Sequence, residues 1–256
     1  MDIFEKFDNL ITFADVLKSR PGGSCTSERD ENWVGTPNFE TADSLLRCGW
    51  DEGAKMIDEV KSLKVDACGV ALRRRSAMSV VGGGVCVGAY LSGRPDCMVT
   101  KTKKEVRVNT CSIGYNIGVL GNVSAEEKIK NARKLVNAVM AIERAGVRVN
   151  LYMLKSADVY NMTMTLAIKI KDSGQPFNRL TMVYPLIHPS MHRRHGFNWM
   201  RSHPKSKGHS VGASIYDVGR VKSLCAAGGL HLDYCFTFDS LQRIKSVDDL
   251  VNLFKK

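Results

Sequence analysis

The side chains best suited to chemistry fall in one stretch of the chain. His188, His192 and His195 recur at helical spacing, and imidazoles at i, i+4 and i+7 can face a single metal ion. The residues between them are Pro189, Ser190, Met191, Arg193 and Arg194, so the carboxylate base of an H-E-x-x-H site is missing and two guanidiniums would stand beside a dication. Pro189 suits the first position of a helix, which leaves His188 as a flanking residue and weakens a three-histidine face. The same stretch fits phosphate better. Arg193 and Arg194, just inside such a helix, combine charge-assisted donors with helix N-terminal amides. Phe197 and Trp199, next to Arg201, offer stacking faces to unpaired bases and are equally suited to a core; Lys205 and Lys207 prolong the basic run.

Two further basic tracts, Arg73-Arg74-Arg75 and Lys101-Thr102-Lys103-Lys104, border a glycine-rich segment and read as secondary, backbone-holding contacts or as solvated turn charges. Gly82-Gly83-Gly84 lacks the spacing of a nucleotide loop and has strand-like flanks, which makes it a hairpin turn. No G-x-S-x-G is present, no cysteine stands in a recognisable catalytic context, and Asp158, Asp172, Asp217, Asp233 and Asp239 are too scattered for a two-metal cluster. The eight cysteines are singletons without a C-x-x-C pair, so they read as reduced core residues. The expectation is a non-catalytic protein without a cofactor.

The 256 residues carry a net charge of +11, unevenly placed. Residues 1–66 hold 14 acids against 8 Lys/Arg, while residues 67–256 hold 12 against 29. No acid occurs between Asp172 and Asp217, a stretch holding Arg179, Arg193, Arg194, Arg201, Lys205 and Lys207 with five of the six histidines. Such a surface attracts polyanions. No run of eighteen apolar residues is present and the N-terminus carries acids where a signal peptide is basic, so a cytoplasmic protein without membrane contact is expected.

The elements that must position these residues are legible in part. Residues 1–32 read as an arm with a short helical pattern and a linker, 33–66 as a helical segment, and 79–98 as a β-hairpin. From 105 to 154 the pattern is strand, helix, strand. Glu105–Cys111 alternates, Ser124-Ala-Glu-Glu127 is a capping box, apolar residues from Ile129 to Ile142 recur every three or four positions up to Gly146, and Arg148–Leu154 is the second strand. This is a βαβ unit. Further strands are expected at Met164–Lys171 and Leu232–Phe238, and a last helix at Val247–Phe254 begins at Ser246. The fold expected is α/β: one domain over 33–256 with a Rossmann-like, mostly parallel sheet.

The β-loop-α-β order leading into ERAGVRVNLYML resembles von Willebrand A-like domains. In that fold the loop after the first strand supplies a D-x-S-x-S metal site; the matching stretch here, Asn109-Thr110-Cys111-Ser112-Ile113, departs at all three ligand positions, so the resemblance implies the fold with a degenerate site. The phrases ADSLLRCGWDEG, GGGVCVGAYLSGRPDCM and HPSMHRRHGF resemble an uncharacterised family of tailed phages and prophages, which implies expression in a bacterial host. The reading that results is binding of nucleic acid, single-stranded DNA or RNA, through Arg193, Arg194, Arg201, Lys205 and Lys207, with Arg73–Arg75, Lys101, Lys103 and Lys104 in support. The alternatives are an adaptor that binds a protein partner or a second copy, and a metal-dependent hydrolase.

Overall fold

The computed structural model describes residues 2–20, 31–57, 70–107, 109–119, 121, 123–206 and 212–254. In chain order these form β1 (Asp2–Phe7), α1 (Leu10–Ser19), α2 (Glu31–Val34), α3 (Phe39–Cys48), α4 (Asp51–Lys55), β2 (Val70–Ser79), β3 (Gly84–Val85), α5 (Val87–Leu91), β4 (Met98–Arg107) and β5 (Asn109–Asn116). There follow α6 (Ala125–Arg144), β6 (Val147–Val159), β7 (Met162–Lys171), α7 (Arg179–Ile187), a π-helical turn (Met191–Gly196), α8 (Phe197–Ser202), β8 (Ala213–Ser214), α9 (Val218–Ala227), β9 (Tyr234–Thr237), α10 (Phe238–Arg243) and α11 (Val247–Leu253). The protein is α/β, with a mostly parallel central sheet flanked by helices.

The chain divides into two compact units, Met1–Val65 with Thr110–Lys256, and Asp66–Asn109. The larger unit holds the sheet β1-β7-β6-β5-β9, with the short β8 paired to β6. Alternation builds it. Along β6, Leu151 and Met153 enter one core and Tyr152 and Leu154 the other, so each face of the sheet is covered. On the first face lies α6, whose Leu135, Val136, Val139 and Ile142 are fully buried, as their spacing requires. Ser124 caps it by accepting the Glu127 amide at 3.1 Å, and Gly146 ends it at φ 95°. α10 and α11 pack on α6, and Lys134 Nζ ties them there by donating to the Leu241 and Ile244 carbonyls at 2.9 Å each. α9 covers the second face, through Val221 and Cys225.

The expected N-terminal arm is instead part of the fold. Residues Asp2 to Phe7 pair in parallel with Thr163 to Ile168 of β7, and Ile3, Phe7, Phe13 and Leu17 are buried. The alternation was too short, and too rich in charge at Asp2, Glu5 and Lys6, to announce a strand. The expected strand Glu105–Cys111 straddles two elements, since β4 ends at Arg107 and β5 begins at Asn109. In the smaller unit β2 pairs antiparallel with β4 over ten rungs, and β3 adds two residues to the other side of β4. The apolar run expected as a hairpin yields only those two strand residues before turning into α5. The glycine run lies at the turn between β2 and β3, where the Gly83 amide donates to the Val99 carbonyl at 3.0 Å.

Candidate binding sites

In open α/β sheets a ligand crevice forms outside the carboxyl ends of the strands where the strand order reverses. Here the reversal is at β5, with β6, reached through α6, on one side and β9 on the other. Asn116, at the end of β5, is buried and fastens the neighbouring chain. Its Nδ2 donates to the Ile215 carbonyl at 2.8 Å, and its Oδ1 accepts the amides of Gly118 at 3.3 Å and Ser156 at 3.2 Å. Two cavities open at this edge of the larger unit and share Tyr216. One, of about 330 Å³, lies against Trp33, Val119, Gly121, His192, Arg193, Phe197 and Ser214; the other, of about 360 Å³, lies against Asp217, Thr237, Asp239, Ser240 and Arg243.

Basic groups lie at and behind the wall of the first cavity: His192 and Arg193 line it, and Lys155 reaches its lining at Ser214. Lys155, from β6, runs beneath the π-helical turn, where a side chain at Gly196 would approach its stem within 3.7 Å. Its Nζ donates to Ser214 Oγ at 3.3 Å and lies 5.3 Å from the Phe197 ring centre. Burial lowers its ammonium to about 7. Lys128, one turn into α6, is fully buried, and among the described residues its Nζ has no hydrogen-bond partner; burial, then the charges of Arg193 and Lys155, hold it well below the ordinary lysine value. His192 is held well below its ordinary value by burial and by Lys155, Lys128 and Arg193. π-helical turns are rare and concentrate at functional sites.

The structure relocates the residues singled out in the sequence. Arg193 and Arg194 are buried, not displayed on a surface. Arg193 donates to the carbonyls of Trp33 and, at 2.7 Å, Val123, its guanidinium stacked 4.4 Å over the Trp33 ring, and burial lowers it to about 10. Arg194 donates to Thr36 Oγ1 at 2.8 Å and to the Thr36 carbonyl at 2.6 Å. The sequence offered their charge but not their carbonyl partners, which lie 158 to 160 residues away, or 70 for Val123. Trp199 is buried and donates to Glu5 Oε2 at 2.6 Å, which removes it as a stacking platform, whereas Phe197 is half-buried at the cavity. Arg201 is half-buried, Lys205 is exposed, and Lys207 lies outside the described residues.

The three histidines do not converge. His188 accepts the Ser190 amide on Nδ1 at 3.1 Å and packs on Trp50 and Tyr184; His195 meets the Tyr184 hydroxyl at 3.4 Å; His192 packs on Phe197. Burial pushes His188 down to about 3 and His195 to about 4, so both are neutral core residues. Among the described residues no three His, Cys, Asp or Glu side chains come together as a metal-ligand set. The stretch Asn109–Ile113 lies inside β5, and the sequence that follows the strand, from Ile117 to Val123, contains no Asp, Ser or Thr.

In the smaller unit the two basic tracts, 26 or more residues apart in sequence, become neighbours. The β2–β4 register sets Arg73 opposite Lys104, Arg74 opposite Lys103, Arg75 opposite Thr102 and Ser76 opposite Lys101. The twenty residues of the two strands hold seven Lys/Arg and one Glu.

The fold and the crevice thus define an α/β protein with a Rossmann-like sheet and a cationic cavity at its carboxyl edge. From residue 2 to residue 254 the chain matches the family described as a domain of unknown function, DUF7192, and it belongs to that family. No curated protein and no solved structure matches the chain. No described helix is long and apolar enough to cross a membrane.

Proposed function

We propose that this protein binds nucleic acid without catalysis, and that the β2–β4 ribbon of the smaller unit is its contact. The observation that carries this reading is the register. It sets like charges on consecutive rungs, Arg73 against Lys104 and Arg74 against Lys103. Opposed like charges weaken an antiparallel pair, and a phosphate backbone relieves that repulsion while releasing its own counterions. A two-stranded ribbon also fits the major groove of duplex DNA. The preference for single strands had rested on Phe197 and Trp199; with Trp199 bound to Glu5, only Phe197 remains for that role.

The test is binding of labelled single- and double-stranded DNA and RNA at two salt concentrations. Affinity falls with a log–log slope of several units as salt rises, and replacing Arg73, Arg74 and Arg75 by Ala weakens binding at least about tenfold and flattens the slope, since each lost phosphate contact removes about one unit. Absence of binding at about 50 mM salt, where electrostatic contacts are strongest, overturns the reading.

A second reading, that of a protein-interaction module, is favoured by one feature of the same unit. Val80, Val81, Val85, Val87, Tyr90 and Leu91 are all exposed, six apolar side chains within twelve residues. Contiguous exposed apolar surface marks contact sites. An interaction through it is insensitive to salt, which separates the two readings in the same assay.

A further inference from the structure

Lys128, Lys155, His192 and Arg193 reach one place from three elements, α6, β6 and the π-helical turn, and each is at least 98% buried. Among the described residues none of the four pairs with a carboxylate, and Lys128 Nζ, His192 Nδ1 and Arg193 Nε have no hydrogen-bond partner. Native interiors seldom tolerate this: buried polar groups are satisfied, and buried charges are paired. The same unit shows the ordinary solution a few residues away. Lys171, equally buried, meets Glu143 Oε1 at 2.5 Å and donates to the Val149 carbonyl at 3.1 Å. Four basic groups sharing one interior without a counter-ion therefore call for an anion from outside.

The 330 Å³ cavity is where one enters. His192 and Arg193 line it, and so does Ser214, which already accepts from Lys155. Among the described residues no Asp or Glu lines it, and His192 and Arg193 belong to the acid-free stretch of the sequence. Tyr216 and Ser214 bring hydroxyls to the rim, while Trp33, Val119 and Phe197 supply apolar wall. That volume exceeds a bare oxyanion and lies at the small end of organic-ligand sites. We propose that this cavity binds a phosphate group, free or as the monoester of a small organic molecule or strand end, with Ser214 and the Lys155, His192 and Arg193 cluster as its anion-holding face. Burial lowers Lys155 to about 7 and holds Lys128 and His192 well below their ordinary values; a bound anion shifts all three back up. The site lies in the larger unit and does not depend on the ribbon.

The experiment is thermal shift and calorimetric titration of the full chain with inorganic phosphate, AMP, adenosine, and a dinucleotide with and without a 5′-phosphate. Phosphate-bearing probes raise the melting temperature and adenosine does not. The tighter probe shows the source, phosphate if the group is taken free and AMP or the 5′-phosphorylated dinucleotide if it is taken as an ester. The variant Lys155→Met removes the charge at similar volume, stays folded with an unchanged or higher melting temperature, and binds the best probe at least about tenfold more weakly. Failure of every phosphate-bearing probe at about 10 mM, ten times a Kd of about 1 mM, overturns the proposal. Equal binding by wild type and a folded Lys155→Met overturns it as well.

Discussion

Glu5 shows how much one side chain of the unexpected first strand does. It accepts from Trp199 Nε1 at 2.6 Å and pairs with Arg20 at 2.5 Å. Burial alone would push its carboxyl up, but the hydrogen bonds from Arg20 and Trp199 outweigh that and hold it below the ordinary value. A depressed carboxyl stabilises the fold above the unfolded pKa and loses that contribution as pH falls through the folded one. The buried histidines add to the same trend by a different route. His188 and His195 are neutral in the fold, with values near 3 and 4, but take up protons near 6.5 once unfolded. Between pH 6.5 and about 4 each therefore draws the equilibrium toward the unfolded chain by about 1.4 kcal/mol per pH unit. Urea titrations across that range will show a steep acid-side loss, and His195→Phe will flatten it. Trp199→Phe, which strips a donor from a half-buried carboxylate, will lower stability by about 1–3 kcal/mol in the same assay.

At the scale of elements, the junction between α3 and α4 illustrates a constraint visible only in three dimensions. Gly49 ends α3 at φ 98°, and a Cβ there would lie 2.6 Å from the Leu180 carbonyl oxygen of α7, which also accepts the Trp50 amide at 2.8 Å. Gly49→Ala meets both a left-handed backbone and a backbone clash, so an equilibrium unfolding curve should show a loss of more than about 2 kcal/mol. Ser124→Ala, which removes only the α6 cap, should cost about 1 kcal/mol. The contrast measures what the sequence could convey. Ser124 and the apolar rhythm of α6 were readable because capping and periodicity are local. β7 and α11 were readable for the same reason, within two residues at either end. β1 was not, because six residues with three charges become a strand only when β7 supplies the ladder. The segment 188–203 was misplaced for a related cause: a basic composition reads as surface, and nothing local reveals that carbonyls at Trp33, Thr36 and Val123 will receive its guanidiniums inside.

At the scale of the whole molecule, the cysteines report on integrity. Six free thiols are described: Cys48 exposed, Cys86, Cys97 and Cys111 intermediate, Cys225 and Cys235 buried. Burial pushes Cys111, Cys225 and Cys235 up to about 12, so all three are thiols, not thiolates, at neutral pH. Mass-resolved alkylation of native protein should label Cys48 first among these six and reach Cys225 and Cys235 only at the global unfolding rate; early labelling of those two would mean that the α9 face opens on its own. The charge division read from the sequence also takes a different form at this scale. The described part of the acid-free stretch is largely interior, and the basic surplus of the smaller unit comes from two tracts that the sequence keeps apart.

The uncompensated lysine under the π-helical turn makes this fold an unusual host for a new carboxylate. Most interiors reject one, yet Ser214 stands 3.3 Å from an ammonium that has no counter-ion among the described residues. Ser214→Asp would give the chain a permanent internal ligand. It should melt at a higher temperature than wild type and no longer respond to phosphate, turning a site that samples its surroundings into one that carries its own anion.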